Sequence, residues 1–154
     1  MKHPLPLVLL LSATTLKAQV VSNIVCTDPV AEQVMKGLYN PSDYAASTAI
    51  DDHEVVLCEL RWLLRADSMK GYLERMAQFG TRNSYSDTVS AATGIGAARR
   101  WAFSKFQEFS TANEDRLIPT YLQFDQVGAE CGDAQGWKNV LAVLPGTDTS
   151  DQGI

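Results

Sequence analysis

Histidine is scarce in this 154-residue sequence, which has only two. Outside the first eighteen residues the sole histidine is His53, in the run Asp51-Asp52-His53-Glu54. Consecutive residues of a helix point about 100° apart, so these side chains cannot all reach one ion, and no second histidine completes a site. We therefore interpret this run as the acidic, solvated start of a helix and not as a metal site.

Nucleophile and nucleotide-binding motifs are also missing. The sequence has no Gly-x-Ser-x-Gly, and Ser-His-Asp chemistry would depend entirely on His53. Gly94-Ile95-Gly96 resembles part of a nucleotide-binding turn, but the third glycine and a preceding apolar strand are absent. We predict that these glycines allow close packing at a helix start. Arg82 fits a structural role on backbone carbonyls better than a place in a cleft. No catalytic, cofactor-binding or metal-binding residue is assigned.

Basic clusters are few. The chain has 13 Lys and Arg against 18 Asp and Glu, a net charge of −5. Phosphate binding needs clustered Lys and Arg, so this balance argues against nucleic acid as a partner. The adjacent pair Arg99-Arg100 lies in a helical pattern and fits a solvated face.

Long apolar runs are absent as well. The leucine-rich run over residues 5–11 follows Lys2 and His3 and precedes small residues that end at Ala18. This order is typical of a secretory signal peptide, and we predict cleavage after residue 18 and export to the periplasm or outside the cell. The alternative is a membrane anchor, which needs about 20 apolar residues, roughly twice what this run offers. After cleavage we expect no membrane association.

The three cysteines leave an odd thiol. An exported protein can oxidise its cysteines, and Cys26 and Cys58 are candidates for one bridge. Cys131 then lacks a partner within the chain and is a candidate for pairing with a cysteine beyond Ile154. The pairing stays open.

Helical patterns occupy the first two thirds of the chain. Asp28-Pro29 places a capping residue before a first-turn proline. Residues 55–57 fit either the second predicted helix or the start of a strand. The next helix has Asp67 as its predicted cap and Gly80 as its left-handed terminator, and the longest has Thr93 as its cap. Helices are predicted from about Asp28, over Asp51–Leu64, from Asp67 to Phe79, and over Gly94–Ser110, with a polar loop at 83–93.

Two strands are predicted to follow. Leu117 to Val127 alternates and is read as half-buried. Gly128 to Lys138 is read as a loop. The apolar run from Asn139 to Leu144, closed by Pro145-Gly146, is typical of a strand buried on both faces. Helices followed by an antiparallel pair predict an α/β fold whose sheet is incomplete.

Three segments together resemble a known family. They are Phe79-Gly80-Thr81-Arg82, the helical Gly96-Ala97-Ala98-Arg99-Arg100-Trp101, and the strand from Asn139 to Gly146 followed by Thr147-Asp148. Their order resembles the N-terminal part of secreted zinc-dependent aminopeptidases, the exopeptidase family related to glutaminyl cyclases. The resemblance covers residues 67–154 and implies a phosphorylase/hydrolase-like zinc-exopeptidase sheet. Residues 19–66 are then an N-terminal helical extension.

The same resemblance implies where the chemistry lies. In that family the first metal ligands, His-x-Asp, come on the strand after the Pro-Gly turn, and this sequence stops at Ile154 before them. Zinc is therefore implied for the full-length family, while this chain is expected to bind none and to be inactive. The full-length enzyme would remove N-terminal residues from peptide substrates. The alternatives are a non-catalytic exported binding or inhibitory module of the same fold and a structural secreted domain. An unpaired final strand predicts association through its edge.

Overall fold

The computed structural model describes residues 20–80, 83–128 and 132–147. Within these ranges the chain forms helices and one antiparallel sheet, so the predicted α/β class is confirmed. A short 3-10 helix covers Pro41–Tyr44. The elements in chain order are β1 (Val20–Cys26), α1 (Pro29–Met35), α2 (His53–Leu63), α3 (Ala66–Gln78), α4 (Gly94–Thr111), β2 (Ile118–Gly128) and β3 (Gly132–Val143). The predicted signal peptide, residues 1–18, lies outside the described residues.

Within the part of the chain that the structure describes, the sheet has three strands, one more than the two that the sequence predicts. Its order is β1-β2-β3, and both neighbouring pairs are antiparallel. The segment predicted only as extended, before Asp28, is β1, and Cys26 lies opposite Leu122 of β2. The sheet therefore joins the N-terminal segment to residues nearly a hundred positions away.

The third strand starts earlier than predicted. Most of the expected loop at 128–138 is strand, because β3 begins at Gly132 and pairs with β2 along its length. The register shifts between Phe124 and Gln126, and Gly136, at φ 71°, donates its N–H to Asp125 Oδ1 at 2.7 Å. This is a β-bulge with a left-handed glycine, so residues typical of a loop lie inside a hairpin.

The prediction that residues 139–144 are buried on both faces is wrong for this chain. Val140 to Val143 are only half-buried, and Leu144 is 61% exposed. The reason is that the described helices cover the two faces of β3 only in part and leave these side chains partly open to solvent.

The two faces of the sheet are covered by different helices. On one face Phe103 of α4 stacks on Tyr121 of β2, with ring centroids 4.6 Å apart. The next side chain along the strand, Thr120, points to the other face because strand residues alternate. Thr120 is fully buried there, and its hydroxyl accepts the N–H of Asp28 at 3.1 Å. The start of α1 therefore lies opposite α4.

One predicted helix cap is confirmed, whereas Thr93 precedes α4 without a side-chain capping bond. Asp28 accepts the N–H groups of Val30 and Ala31 at 2.8 and 2.9 Å, which confirms it as the α1 cap. Residues 55–57 belong to helix α2, which settles the open choice between helix and strand. The Asp67 prediction is wrong, because α3 begins at Ala66 and has no side-chain capping bond. The bond is absent because Asp67 lies inside the first turn and not before it.

Helices α3 and α4 meet in a small aromatic core. Phe79, Ala97 and Ala98 are buried, with Met76 and Trp101 packed against them. Gly80 has φ 70° and terminates α3 in the left-handed conformation that the sequence predicts. By contrast, α2 buries no residue against the rest of the described chain. Among the described residues, no helix is long and apolar enough to cross a membrane.

Candidate functional site

The acidic run around His53 is a helix cap. Asp52 accepts the N–H groups of Glu54 and Val55 at 2.9 and 3.1 Å, and His53 is exposed. The carboxylate of Asp52 is therefore already engaged by backbone donors. The structure places this run where the sequence predicts it, at the solvated first turn of α2.

The glycine turn at the start of α4 is filled by protein groups. Gly94 N–H bonds to Phe79 O at 2.9 Å, and Ile95 N–H to Ser86 Oγ at 2.9 Å. Gly96 N–H bonds to Asp87 O at 3.0 Å. A phosphate at a helix start needs such N–H groups unoccupied, so this turn is not arranged as a nucleotide site.

Close approach is the reason for the glycines. A Cβ built on Gly96 would lie 2.1 Å from Thr88 O, and one on Gly94 would lie 2.3 Å from Asp87 O. The loop at 83–93 therefore lies directly on the helix start, which confirms the close packing predicted for these glycines.

Arg100 fixes the same loop from the side. Its guanidinium donates to the carbonyl of Thr88 at 3.1 Å, of Val89 at 3.3 Å and of Ser90. Asp87 accepts the N–H groups of Val89 and Ser90 at 2.7 and 2.9 Å. These two backbone donors, Ser90 first, lower the pKa of the Asp87 carboxyl, with a smaller effect of the Arg100 charge. Arg82, the arginine singled out from the sequence, lies outside the described residues.

The two described cysteines are separate free thiols. Cys26 is buried, and its Sγ lies 3.1 Å from the hydroxyl of Thr120. Cys58 is exposed on α2. The candidate bridge between Cys26 and Cys58 is therefore not formed in this structure, and Cys131 lies outside the described residues.

An apolar groove of about 440 Å³ runs between α3 and α4. It is open to solvent, and Met69 and Leu73 on its rim are 57% and 71% exposed. The lining residues are Met69, Tyr72, Leu73, Met76, Trp101, Ala102, Lys105, Phe106 and Phe109. One lysine is the only charged group among them, so the groove can hold an apolar surface but offers no acid or base pair.

The turn after β3 is bonded to a residue far away in the sequence. Tyr39 donates its hydroxyl to Gly146 O at 3.1 Å, and its ring packs edge to face on Tyr44 with centroids 5.8 Å apart. Arg116 Nε donates to Tyr44 O at 2.7 Å. The segment at 39–44 thus links the turn before β2 with the turn after β3. No local sequence pattern predicts this contact, because the two residues lie 107 positions apart.

The described residues do not form a zinc site. A catalytic zinc takes three protein ligands and a water. Residues 20–80, 83–128 and 132–147 contain no group of three His, Cys, Asp or Glu side chains that could hold an ion. The exposed His53 therefore has no co-ligands among them.

Comparison with known proteins links part of the chain to zinc metalloproteases. It is 38% identical over 58 residues to a protein of Phaeosphaeria nodorum named "Probable zinc metalloprotease", and this stretch is 38% of the chain and 12% of that protein. It is 34% identical over 68 residues to a protein of the same name from Pyrenophora teres f. teres, which is 44% of the chain and 15% of that protein. The match thus spans between about an eighth and a seventh of the length of these relatives. No family model and no solved structure matches.

Proposed function

We propose that this chain is the N-terminal part of an exported zinc-dependent aminopeptidase and that its own role is structural. The partial identity to proteins named "Probable zinc metalloprotease" is the observation that carries the proposal. The three family-like segments between Phe79 and Asp148 narrow it to the aminopeptidase type, and the leader-like start of the chain supports export. The substrates of the whole enzyme would be peptides with a free N-terminus.

On this proposal the metal ligands lie in another part of the enzyme. A two-zinc peptidase polarises the substrate carbonyl and lowers the pKa of a metal-bound water, and both tasks need a full ligand set. On this proposal the described residues supply none of these ligands. The chain alone would bind no catalytic zinc and hydrolyse no peptide bond.

The contribution of the chain is to position the segment that follows β3. Strand β3 is fixed by its pairing with β2, and the buried Pro145 follows its end at Val143. The bond from Tyr39 to Gly146 O fixes the turn beyond it. Catalytic ligands need to be held to within about 0.5 Å by rigid elements. A strand and turn anchored in this way are suited to carry such ligands on the residues that come next.

The test compares the purified chain with the protein isolated from its source by an antibody against the chain. We expect the isolated protein to be longer than 154 residues, to contain zinc by mass spectrometry, and to release nitroaniline from aminoacyl-nitroanilides. Chelation should abolish this activity and added zinc should restore it. The chain alone should show neither zinc retention nor turnover. A native protein of 154 residues without zinc would favour the non-catalytic module and overturn the proposal.

A further inference from the structure

Helix α2 stands apart from the rest of the described chain, although many of its side chains are apolar. None of its residues is buried, and Val56, Leu60 and Leu63 are all exposed. An isolated helix shorter than about 12–15 residues is marginal in water, because packing of one face supplies most of the stability of a helix. Since α2 has 11 residues, it needs an apolar surface to pack against.

Three side chains of α2 form one apolar stripe, which we call the α2 stripe. Val56, Leu60 and Leu63 follow one another at spacings of four and three residues. Their side chains therefore lie within about 60° of one another around the helix axis. Trp62 lies about 160° away from Leu60, on the opposite face of the helix.

The groove between α3 and α4 matches the α2 stripe in length and in chemistry. It follows α3 from Met69 to Met76, and Lys105 is the only charged residue among its described lining residues. The α2 stripe and the α3 side of the groove each span seven helical positions, so both extend about 10 Å along their helices. The stripe can therefore fill the groove along its length.

The connection between α2 and α3 is short enough to bring the two surfaces together. Only Leu64 and Arg65 separate the helices, and neither has helical backbone angles. Two helices joined by two to five residues commonly form an antiparallel hairpin. In such a hairpin Leu63 lies at the Met69 end of the groove, and the rest of the α2 stripe runs along it.

The end of α2 already lies beside the groove. Leu63 and Leu64 line a recess next to the start of α3. Met69, Tyr72 and Phe109 line both this recess and the groove. A rotation about the two linking residues therefore moves the rest of α2 toward the groove while its end stays in place.

We propose that α2 folds back on α3 and covers the groove with the α2 stripe, so that α2, α3 and α4 form one layer of three helices. The structure shows the open arrangement, and closure removes the exposed apolar surfaces of both elements from water. Glu59 borders the stripe, so closure brings a charge of opposite sign to the surface that carries Lys105. The inference goes beyond the proposed function and does not depend on it.

Closure is a local equilibrium. The buried cluster of Phe79, Ala97 and Ala98 does not include α2, so α2 can open without unfolding the rest of the chain. Substitutions in α2 therefore change closure and leave the α3–α4 core folded.

Hydrogen exchange on the purified chain tests the proposal. We expect the α2 amides to be protected to the same degree at every protein concentration. Leu60→Ala should speed their exchange about tenfold or more, because the leucine side chain no longer leaves water on closure. Trp62→Ala, on the opposite face, is the matched control and should leave the protection unchanged. Alanine is the best helix former, so a loss of protection reports packing and not helix preference.

A substitution in the groove supplies the second readout. Leu73→Ala lies in α3 and should also speed exchange of the α2 amides, while the α3 and α4 amides stay protected. If the two leucines share one contact, the double variant with Leu60→Ala should lose less protection than the sum of the single variants.

Four results would each overturn the proposal. The first is exchange of the wild-type α2 amides at the rate of an unstructured peptide, which would leave the groove to another segment of a longer enzyme. The second is protection that rises with concentration, which would indicate a second copy. The others are an equal loss of protection in Trp62→Ala and unchanged α2 exchange in Leu73→Ala.

Discussion

Replacing Gly96 by alanine should destabilise the protein, although alanine is the better helix former. In an open helix interior the change from glycine to alanine stabilises by about 1 kcal/mol. At Gly96 the added Cβ would lie 2.1 Å from Thr88 O, 2.4 Å from its carbonyl carbon and 2.6 Å from its Cα. All three are backbone atoms, so no side chain can rotate away to relieve the contact.

The expected cost follows from these distances. The loop at 83–93 has to move away from the helix by more than 1 Å to reach a normal contact, and the bond from Gly96 N–H to Asp87 O is then lost. Overpacking costs about 1–3 kcal/mol, and a lost hydrogen bond about 0.5–1.5 kcal/mol. After the gain in helix preference, we expect a net loss of about 1–3 kcal/mol in the free energy of unfolding.

Gly71 provides the matched control within the same protein. It lies in α3, and a Cβ there would meet nothing within 4 Å. Gly71→Ala should therefore stabilise by about 0.5–1 kcal/mol. Urea unfolding followed by far-ultraviolet circular dichroism measures both variants. The reasoning is refuted if Gly96→Ala raises the unfolding midpoint as Gly71→Ala does, because the loop would then not lie on the helix start.

Two further predictions concern caps and acid. Asp28→Ala removes the α1 cap and should lower the free energy of unfolding by about 1 kcal/mol. Asp52→Ala should mainly reduce the helicity of the protein, because α2 buries no residue. Equal losses in the urea midpoint for the two variants would contradict this difference. The pKa values of Asp87, Glu114 and Asp125 are lowered by hydrogen bonds. These carboxylates stabilise the folded protein fully above about pH 4, where the same groups ionise in the unfolded chain. The stabilisation is lost as the pH falls through their lower pKa values in the folded protein. An unchanged urea midpoint at pH 3 would contradict this prediction.

Local signals in the sequence predict local structure well. The Asp28 cap and the Gly80 terminator depend on atoms within a few residues, so a sequence pattern contains the whole interaction. The close packing at Gly94 and Gly96 is predicted for the same reason, because glycine at a helix start indicates close approach.

Features that depend on distant residues are not predicted. Strand β1 becomes a strand by pairing with β2, about a hundred residues away. Gly136 is typical of a loop by composition, yet its positive φ serves a bulge inside the hairpin. The burial of residues 139–144 depends on which elements cover the sheet, and a strand's own composition does not specify its neighbours.

The candidate site likewise contains features that the sequence predicts and features that it does not. The acidic, solvated start of α2 is predicted from the sequence, whereas the role of Asp52 as its cap is seen only in the structure. The Tyr39 anchor on Gly146 is not predicted, because neither residue type indicates the other.

Zinc stoichiometry is the most direct test of the proposed division between this chain and the catalytic site. Equilibrium dialysis of the purified chain against micromolar zinc, with elemental analysis and aminoacyl-nitroanilide hydrolysis on the same sample, measures both binding and turnover. We expect no tightly held zinc and no metal-dependent hydrolysis by the chain alone. One or more tightly bound zinc ions with chelator-sensitive turnover would contradict it.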